Sequence, residues 1–303
     1  MSARAPLTDG VVSLRPARDA DRRAITFLVE HEGEPVGRVE IRDQGDLLGH
    51  LSWALEAPYR GRGLATRALR LLVRYAFDEL GMHRLEAYVE PGNHASIRVA
   101  GRAGLRREGL LRRRSTVGDR ETTSDDRPDA VVLARLADDP EPHEPEGFRA
   151  LLNAGLPRKR VIAQMAVRDT QGRLLLCALS YKPDWDLPGG VVEDGESPRL
   201  AAAREVEEEL ALTLSAGGLL AVDWLPAWSG WDDACTLVFD GGVHAPDLTD
   251  AIVPEPREIR EARFCDADQI RERCAPQTAR RALAVLEAQP GSPRYLESGR
   301  ESF

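Results

Sequence analysis

Apolar and polar positions along the chain follow two rhythms that replace one another. Alternation with period two through Val11-Val-Ser-Leu-Arg-Pro16 predicts a first strand, and Ala24–Glu30 with Glu34–Ile41 predicts a hairpin. Leu47–Leu55 reads as a further strand that runs into Pro58-Tyr-Arg-Gly-Arg-Gly-Leu-Ala65. Beyond that turn the rhythm changes: Leu69, Leu72, Val73, Ala76 and Phe77 recur at helical spacing and mark one buried face. A strand at Arg84–Glu90, a short helix from about Ala95 to Ala103, and strands near Leu110–Ser115 and Ala130–Leu136 complete the first series.

Asp138-Asp-Pro-Glu-Pro-His-Glu-Pro-Glu146 interrupts the pattern with an acidic, Pro-rich stretch, expected to be a semi-rigid linker. A short helix at Phe148–Asn153 leads into a second series. Arg160–Asp169 and Arg173–Leu179 form a predicted hairpin around Thr170-Gln-Gly172, and Tyr181–Gly190 approaches a Gly-Gly turn. Ser197 followed by Pro198 is a helix entry signal, a capping hydroxyl and then a fixed φ, so residues 198 to 211 are expected to be helical. Ala234–Asp240 is a later strand, and the tail 291–303 is expected to be disordered. The division read from the pattern is 10–138, a linker at 139–146, a second domain at 147–290, and the tail.

With 303 residues the chain has room for two cores. Charge supports that division: residues 1–137 carry a net +3 and the remainder a net −12, for −9 in all. Overall acidity gives no support to a nucleic-acid polymer as partner. Cys177, Cys235, Cys265 and Cys274 lack a Cys-x-x-Cys pair, which points to reduced thiols and against structural zinc. No apolar run reaches the ~18 residues a membrane helix needs, and Met1–Pro6 lacks the apolar core of a signal peptide, so a cytoplasmic protein with no membrane partner is expected. Oligomeric state is left open, a homodimer being one option.

The helix after Ser197 carries the chemistry. Glu205, Glu208 and Glu209 share one face, where like charges repel by roughly 0.2–0.5 kcal/mol per pair unless a cation lies between them. Mg²⁺ suits such a site because it accepts few carboxylates, keeps several waters and takes further ligands from phosphate oxygens. Here the chain resembles the Nudix hydrolases, whose signature is Gly-x5-Glu-x7-Arg-Glu-U-x-Glu-Glu-x-Gly-U, with U a bulky aliphatic. Gly190, Glu196, Arg204, Glu205, Val206, Glu208, Glu209 and Leu212 match, and Ala211 stands where the family has Gly. The resemblance implies cleavage of a nucleoside diphosphate linked to another moiety. Mg²⁺ or Mn²⁺ would be held by Glu205, Glu208 and Glu209 with the Gly190 carbonyl, and Arg204 would orient the helix through Glu196. The general base stays open among the helix acids and the downstream Glu258 and Glu261. Ala211 is expected to occupy a left-handed helix end, at a cost in stability of roughly 1 kcal/mol.

The Gly-rich strand-to-helix junction of the first half is a phosphate-binding geometry, since free N–H groups of the first helical turn point at an anion. It resembles the GNAT acetyltransferases, which grip the pyrophosphate of acetyl-CoA with Arg/Gln-x-x-Gly-x-Gly/Ala; Arg60, Gly63 and Ala65 match. The resemblance implies that Arg60, Gly61, Arg62, Gly63, Leu64 and Ala65 bind acetyl-CoA, with Asn93 and Ser96 along its pantetheine arm. Two features differ. Only Arg18–Arg23 separates the first strand from the second, where the family has two helices beside the acceptor, and Ala100 stands where many members have a Tyr acid. Glu56 is the residue that could act through water as a base, though an exposed Glu there is commonly a solvated loop residue.

The fold class read from the sequence is therefore α/β (α+β): a mixed-sheet GNAT-like domain with a shortened acceptor side, followed by a Nudix αβα sandwich. The expected function is Nudix pyrophosphohydrolysis of a small-molecule nucleotide, with a GNAT half that is an N-acetyltransferase, making the chain bifunctional, or a non-catalytic acetyl-CoA sensor or structural module that regulates the hydrolase. Coenzyme A is disfavoured as Nudix substrate because the basic motif expected upstream is replaced by the apolar strand Arg173–Ala178. Four of the five Trp lie within residues 185–231, so Trp185, Trp224, Trp228 or Trp231 is expected to stack on a nucleobase, as of a nucleoside triphosphate or ADP-ribose.

Overall fold

In the computed structural model, which describes residues 7–17, 23–114, 127–228, 230–288 and 291–301, the chain divides at Pro157 and Arg158. Among the described residues the first unit contains β1 (Leu7–Thr8), β2 (Ser13–Pro16), β3 (Ala24–His31), β4 (Glu34–Asp43), β5 (Leu48–Leu55), α1 (Leu64–Asp78), β6 (Arg84–Val89), α2 (His94–Arg102), β7 (Arg106–Leu111), β8 (Ala130–Leu136) and α3 (Pro145–Gly155). Its strands form one mixed sheet in the order β1-β2-β3-β4-β5-β6-β8-β7. Leu69, Leu72, Val73 and Ala76 of α1 are buried against Phe27, Val39, Ile41, Leu51 and Leu85 of the sheet, which is the stripe the helical spacing predicted. Each Leu, Val, Ile or Phe among them contributes ~1.5–3 kcal/mol on burial.

One pairing positions the first site. β5 and β6 run parallel, but only Leu48, Gly49 and His50 find partners, in Arg84, Leu85 and Glu86. β5 stays paired to β4 as far as Leu55, and β6 to β8 as far as Val89, so the sheet opens into a V beyond His50. The Arg18–Arg23 connection cannot be compared with its expected shortness, because 18–22 lie outside the described residues. The strand expected near Leu110–Ser115 lies earlier, at β7, and Ser115 is likewise outside them.

The acidic Pro-rich stretch, expected to be a semi-rigid linker between the domains, is tied to the first unit. Arg135 donates to Glu141 (2.7 Å) and Arg106 pairs with Asp139 (2.9 Å), and α3 belongs to the first unit, so the division falls eleven residues past Glu146. The prolines that suggested a spacer act locally, with Pro145 opening α3.

The second unit contains β9 (Arg160–Asp169), β10 (Leu174–Leu179), β11 (Trp185–Asp186), β12 (Gly189–Val191), α4 (Pro198–Leu210), β13 (Leu219–Leu225), β14 (Ala234–His244), β15 (Ile259–Cys265), α5 (Ala267–Arg273), α6 (Pro276–Glu287), β16 (Arg294–Glu297) and β17 (Arg300–Glu301). Its sheet runs β11-β10-β9-β14-β13-β16-β17, with β12 beside β9 and β15 beside β10. Ala201, Ala202, Val206 and Leu210 of α4 pack on Ala163, Met165 and Val167 on one face. Ile270 of α5 and Ala279, Ala282 and Val285 of α6 pack with Ala166, Leu220 and Val238 on the other, giving an αβα sandwich.

Two expectations need correction here. The β9–β10 hairpin closes with a single pair, Leu174 with Arg168, after which β10 turns to β15 and β12 takes its place beside β9. The exchange requires glycine: a Cβ on Gly189 would stand 2.2 Å from the Ala163 carbonyl oxygen. The tail is ordered through 301 rather than disordered. β16 pairs parallel to β13, buried Leu296 joins the core, and the Gly299 N–H donates to the buried Asp223 carboxylate (2.9 Å). Its short apolar content hid a strand that only an existing sheet edge can stabilise.

Candidate active sites

The second unit's site begins where β12 meets α4. Because β12 lies against β9, Gly189 and Gly190 are brought under the helix, and a Cβ on Gly190 would meet the Glu205 carboxylate at 2.5 Å. Gly189 N–H donates to Glu209 Oε2 (2.9 Å). Glu209 is 5% exposed, and burial, added to the charges of Glu205, Glu258 and Asp186, pushes its carboxyl up to about 8 against that one hydrogen bond. Burial also raises the Glu205 carboxyl, although Arg204 lies 3.0 Å from its Oε1. Glu205 and Glu209 are thus brought together on the Gly-Gly turn.

Glu208 is not brought to that point. Its side chain is exposed and accepts from Arg204 Nη1 (2.8 Å). Arg204 also forks onto Glu196, donating from Nε to Oε1 (2.9 Å) and from Nη2 to Oε2 (3.0 Å), which holds the loop before α4 against the helix. Among the described residues no three His, Cys, Asp or Glu side chains are gathered closely enough to hold a metal ion. A buried carboxylate, Glu209, beside the half-buried Glu205 still fits Mg²⁺, which is held in many sites by one or two carboxylates plus substrate phosphates.

The downstream acids are separated by their surroundings. The last carbonyls of α4 accept from the following loop, Glu209 O from Glu255 N (2.9 Å) and Leu210 O from Val253 N (3.0 Å), which draws residues 253–258 alongside the helix. The Glu258 charge consequently acts on both Glu205 and Glu209. Glu261 instead pairs with Arg263. Ala211 ends α4 with φ 57° and ψ 28°, in the left-handed region.

From Gly189 and Gly190 a cleft of about 310 Å³ runs along β9 to Trp228 and Trp231. The Arg160 guanidinium lies 5.6 Å from the Trp228 ring centroid and 4.9 Å from that of Trp231, a double cation–π contact. Trp185 and Trp224 do not line the cleft: Trp185 is buried in the core near Arg263 and Arg273, and Trp224 lies beside Lys159. The floor is a charge network that sequence reading missed. Arg281, 3% exposed, donates to Asp223 (2.9 Å) and to Asp186 (3.2 Å), and Asp186 also accepts from Lys182 (2.9 Å) and Gln164 (2.9 Å). Burial would raise the Asp186 carboxyl, but Arg281 and Lys182 hold it below the usual range.

In the first unit a cleft of about 520 Å³ lies between the end of β5 beyond the V, the turn into α1, and α2. Arg60, Gly61, Gly63, Leu64, Ala65, Asn93 and Ser96 all line it, beside Trp53, Leu55 and Tyr59. Gly63, in the cleft lining, caps α1 in the left-handed region at φ 81°, and the first N–H groups of the helix that follow have no intrahelical partner. Arg60 donates from Nε to the Leu55 carbonyl (2.9 Å), and Asn93 caps α2 by accepting from Ser96 N (3.1 Å). Arg62 is not part of the lining; it lies over Tyr59 (5.9 Å) and 3.5 Å from His31 Nε2. Glu56 is exposed at the end of β5, with its backbone N–H on Val36 O (3.0 Å).

Comparison with known proteins gives two family matches: an acetyltransferase (GNAT) domain over residues 8–106 and a NUDIX domain over residues 158–286. The probable N-acetyltransferase YjcK of Bacillus subtilis is 44% identical over 63 residues, covering 21% of this chain and 35% of that protein. The NAD-capped RNA hydrolase NudC of Stutzerimonas stutzeri is 33% identical over 130 residues, 42% of this chain and 44% of that protein. The solved structure of Mycobacterium smegmatis RimJ in complex with CoA-disulfide is 29% identical, with TM-score 0.35, covering 44% of this chain and 61% of that one. The chain spans less than two thirds of the length of each. No helix among the described residues is long and apolar enough to cross a membrane.

Proposed function

We infer that this chain, which joins a GNAT acetyltransferase domain at residues 8–106 to a NUDIX domain at residues 158–286, hydrolyses a diphosphate linkage in a nucleotide-like small molecule through its second half. The observation that carries the reading is the buried Glu209 carboxylate, held by the Gly189 N–H beside Glu205 and the Gly189–Gly190 turn, at the end of a cleft with two Trp at its far end. Glu205 and Glu209, with the Gly190 carbonyl, would hold Mg²⁺ or Mn²⁺, and Glu208 would join them by leaving Arg204. The cation, when bound, neutralises charge on the phosphate oxygens and makes water more acidic. Glu258 is the general base of choice over Glu261, because its charge is felt at the carboxylate pair whereas Glu261 is occupied by Arg263. Arg204 with Glu196 fixes the helix, and Trp228 and Trp231 offer rings to a base once Arg160 shifts. NudC is named for hydrolysis of NAD-capped RNA; the cleft here supports a nucleotide end as ligand, and the acidic net charge of the second half does not support a polymer.

Hydrolysis of a panel of nucleoside triphosphates and nucleotide sugars with Mg²⁺ or Mn²⁺, read as phosphate after phosphatase, tests the reading. Glu209→Gln is expected to lower turnover ~100-fold or more. Wild-type turnover by that variant at saturating Mg²⁺ would overturn the assignment.

For the first half we propose acetyl-CoA as ligand of the first unit's cleft, with its pyrophosphate at the N-terminus of α1. Transfer of the acetyl group to an amine is one outcome and sensing without transfer the other. Titration of acetyl-CoA onto the full chain followed by an amine panel separates them. Gly63→Glu is expected to abolish binding by putting a side chain and a negative charge at the turn. Absence of binding by the wild-type chain at millimolar acetyl-CoA would sink the proposal.

A further inference from the structure

Two buried polar side chains on the floor of the second unit's cleft have an atom with nothing to bond. Thr236, 1% exposed on β14, leaves Oγ1 without a partner, and Gln164, 4% exposed on β9, leaves Oε1 without one. Such atoms cost on the order of 1–3 kcal/mol each when left unsatisfied, so a fold keeps them where something else completes them. The Gln164 amide cannot turn over to relieve this. Its Nε2 donates to Asp186 Oδ1 (2.9 Å) and to the Leu187 carbonyl (3.3 Å), two acceptors that demand the nitrogen there, so Oε1 is fixed as an acceptor. Both residues line the cleft, and they are diagonal neighbours on one sheet face, since Thr236 pairs with Ile162 and Val238 with Gln164.

Their place along the cleft names the ligand group. Arg160, Ile162 and Gln164 lie on one face of β9, and four residues of strand span ~13 Å. Arg160 marks the Trp228 and Trp231 end; Gln164 is paired across to Gly189, at the carboxylate end. A base stacked at the first end and a diphosphate at the second leave a sugar between them, over Thr236 and Gln164. We propose that Thr236 and Gln164 read the ribose hydroxyls of the nucleotide, one hydroxyl donating to Gln164 Oε1 and another exchanging a hydrogen bond with Thr236 Oγ1. This rests on the hydrolase reading and adds to it a discrimination of ribose from deoxyribose.

The test uses the full chain with Mg²⁺ and compares kcat/KM for ATP and ADP-ribose with the 2′-deoxy and 3′-deoxy forms of the same adenosine nucleotides. Wild type is expected to favour ribose by at least about fivefold, the worth of one net hydrogen bond. Thr236→Val, which keeps the shape and removes the hydroxyl, is expected to bring that preference near unity for one of the two positions, mainly through KM. Its melting temperature should stay at or above wild type, because the lost hydroxyl has no partner in the free protein. Thr236→Ser should restore the preference. No hydrolysis of any ribonucleotide by wild type overturns the hydrolase reading and this inference with it. Equal rates on ribo- and deoxy-substrates, or a preference untouched in Thr236→Val, overturns the inference alone and assigns the two atoms to bound water.

Discussion

Replacing Ala211 by Gly should make the second unit more stable, and the structure sets the size of the gain. Ala211 closes α4 at φ 57°, where an L-residue with a Cβ carries roughly 1–2 kcal/mol of steric cost. Its side chain is exposed, so removing the methyl group forfeits no burial, and its N–H bond to the Glu207 carbonyl (2.9 Å) is available to Gly as well. Against the relief stands the greater freedom of Gly in the unfolded chain, about 0.4–1 kcal/mol. A net stabilisation of about 0.5–1 kcal/mol remains, which for a unit of this size is a rise of ~1–4 °C in melting temperature. Trp fluorescence is a suitable probe, since Trp185, Trp224, Trp228 and Trp231 belong to the second unit and only Trp53 to the first. Turnover should be unchanged, because Glu205 and Glu209 precede the cap. Ala211→Val should move the other way, a β-branched residue being poorly tolerated in that region. A Gly variant that melts at or below wild type would refute the reasoning, showing that the left-handed cap carries no strain.

Arg281→Met should destabilise the second unit by about 3–5 kcal/mol, since it leaves the fully buried Asp223 and the half-paired Asp186 without their shared cation; a loss under about 1 kcal/mol in urea unfolding would mean that the network is dispensable. The first unit should weaken in mild acid through His50, whose ring, packed beside Tyr88, burial holds below its ordinary value despite the neighbouring Glu86 and Glu40, with Arg42 and Arg114 adding to the depression. The folded state resists protonation, so stability present above about pH 6.5 is lost as pH falls through the unfolded value toward the folded one. His50→Leu should flatten that part of the urea midpoint against pH, and an unchanged slope would remove His50 as its source.

Helices were legible because their signals are local. The α1 stripe and the Ser197-Pro198 entry to α4 depend on neighbours three and four residues away, and both lie where the spacing put them. Strands that depend on distant partners were not. β12 is three residues long and exists because Gly189 can approach Ala163, and β16 exists because β13 offers an edge. The Glu-rich helix face pointed to the carboxylate end of the cleft, but helical spacing alone could not tell that Glu208 faces Arg204 while Glu209 faces Gly189. The floor was harder still. Gln164 did leave a trace, as a lone amide within Val161-Ile-Ala-Gln-Met-Ala-Val167, whereas Thr236 is an ordinary strand residue and nothing local distinguishes Arg281 from the neighbouring Arg280.

The bond from Gly299 to Asp223 joins residues 76 positions apart and gives the second unit a schedule. At ~5–20 residues per second of translation, some 4–15 s separate the emergence of β13 from that of the strand that covers its edge. The first unit, complete by residue 157, can be folded well before then. Through that interval β13 is a nascent strand with one side of its ladder open and a carboxylate awaiting both Arg281 and Gly299, which is the condition in which strand edges recruit the wrong neighbour. Slow synthesis of the stretch after Leu225 would therefore lower the yield of soluble protein more than equally slow synthesis before Pro157.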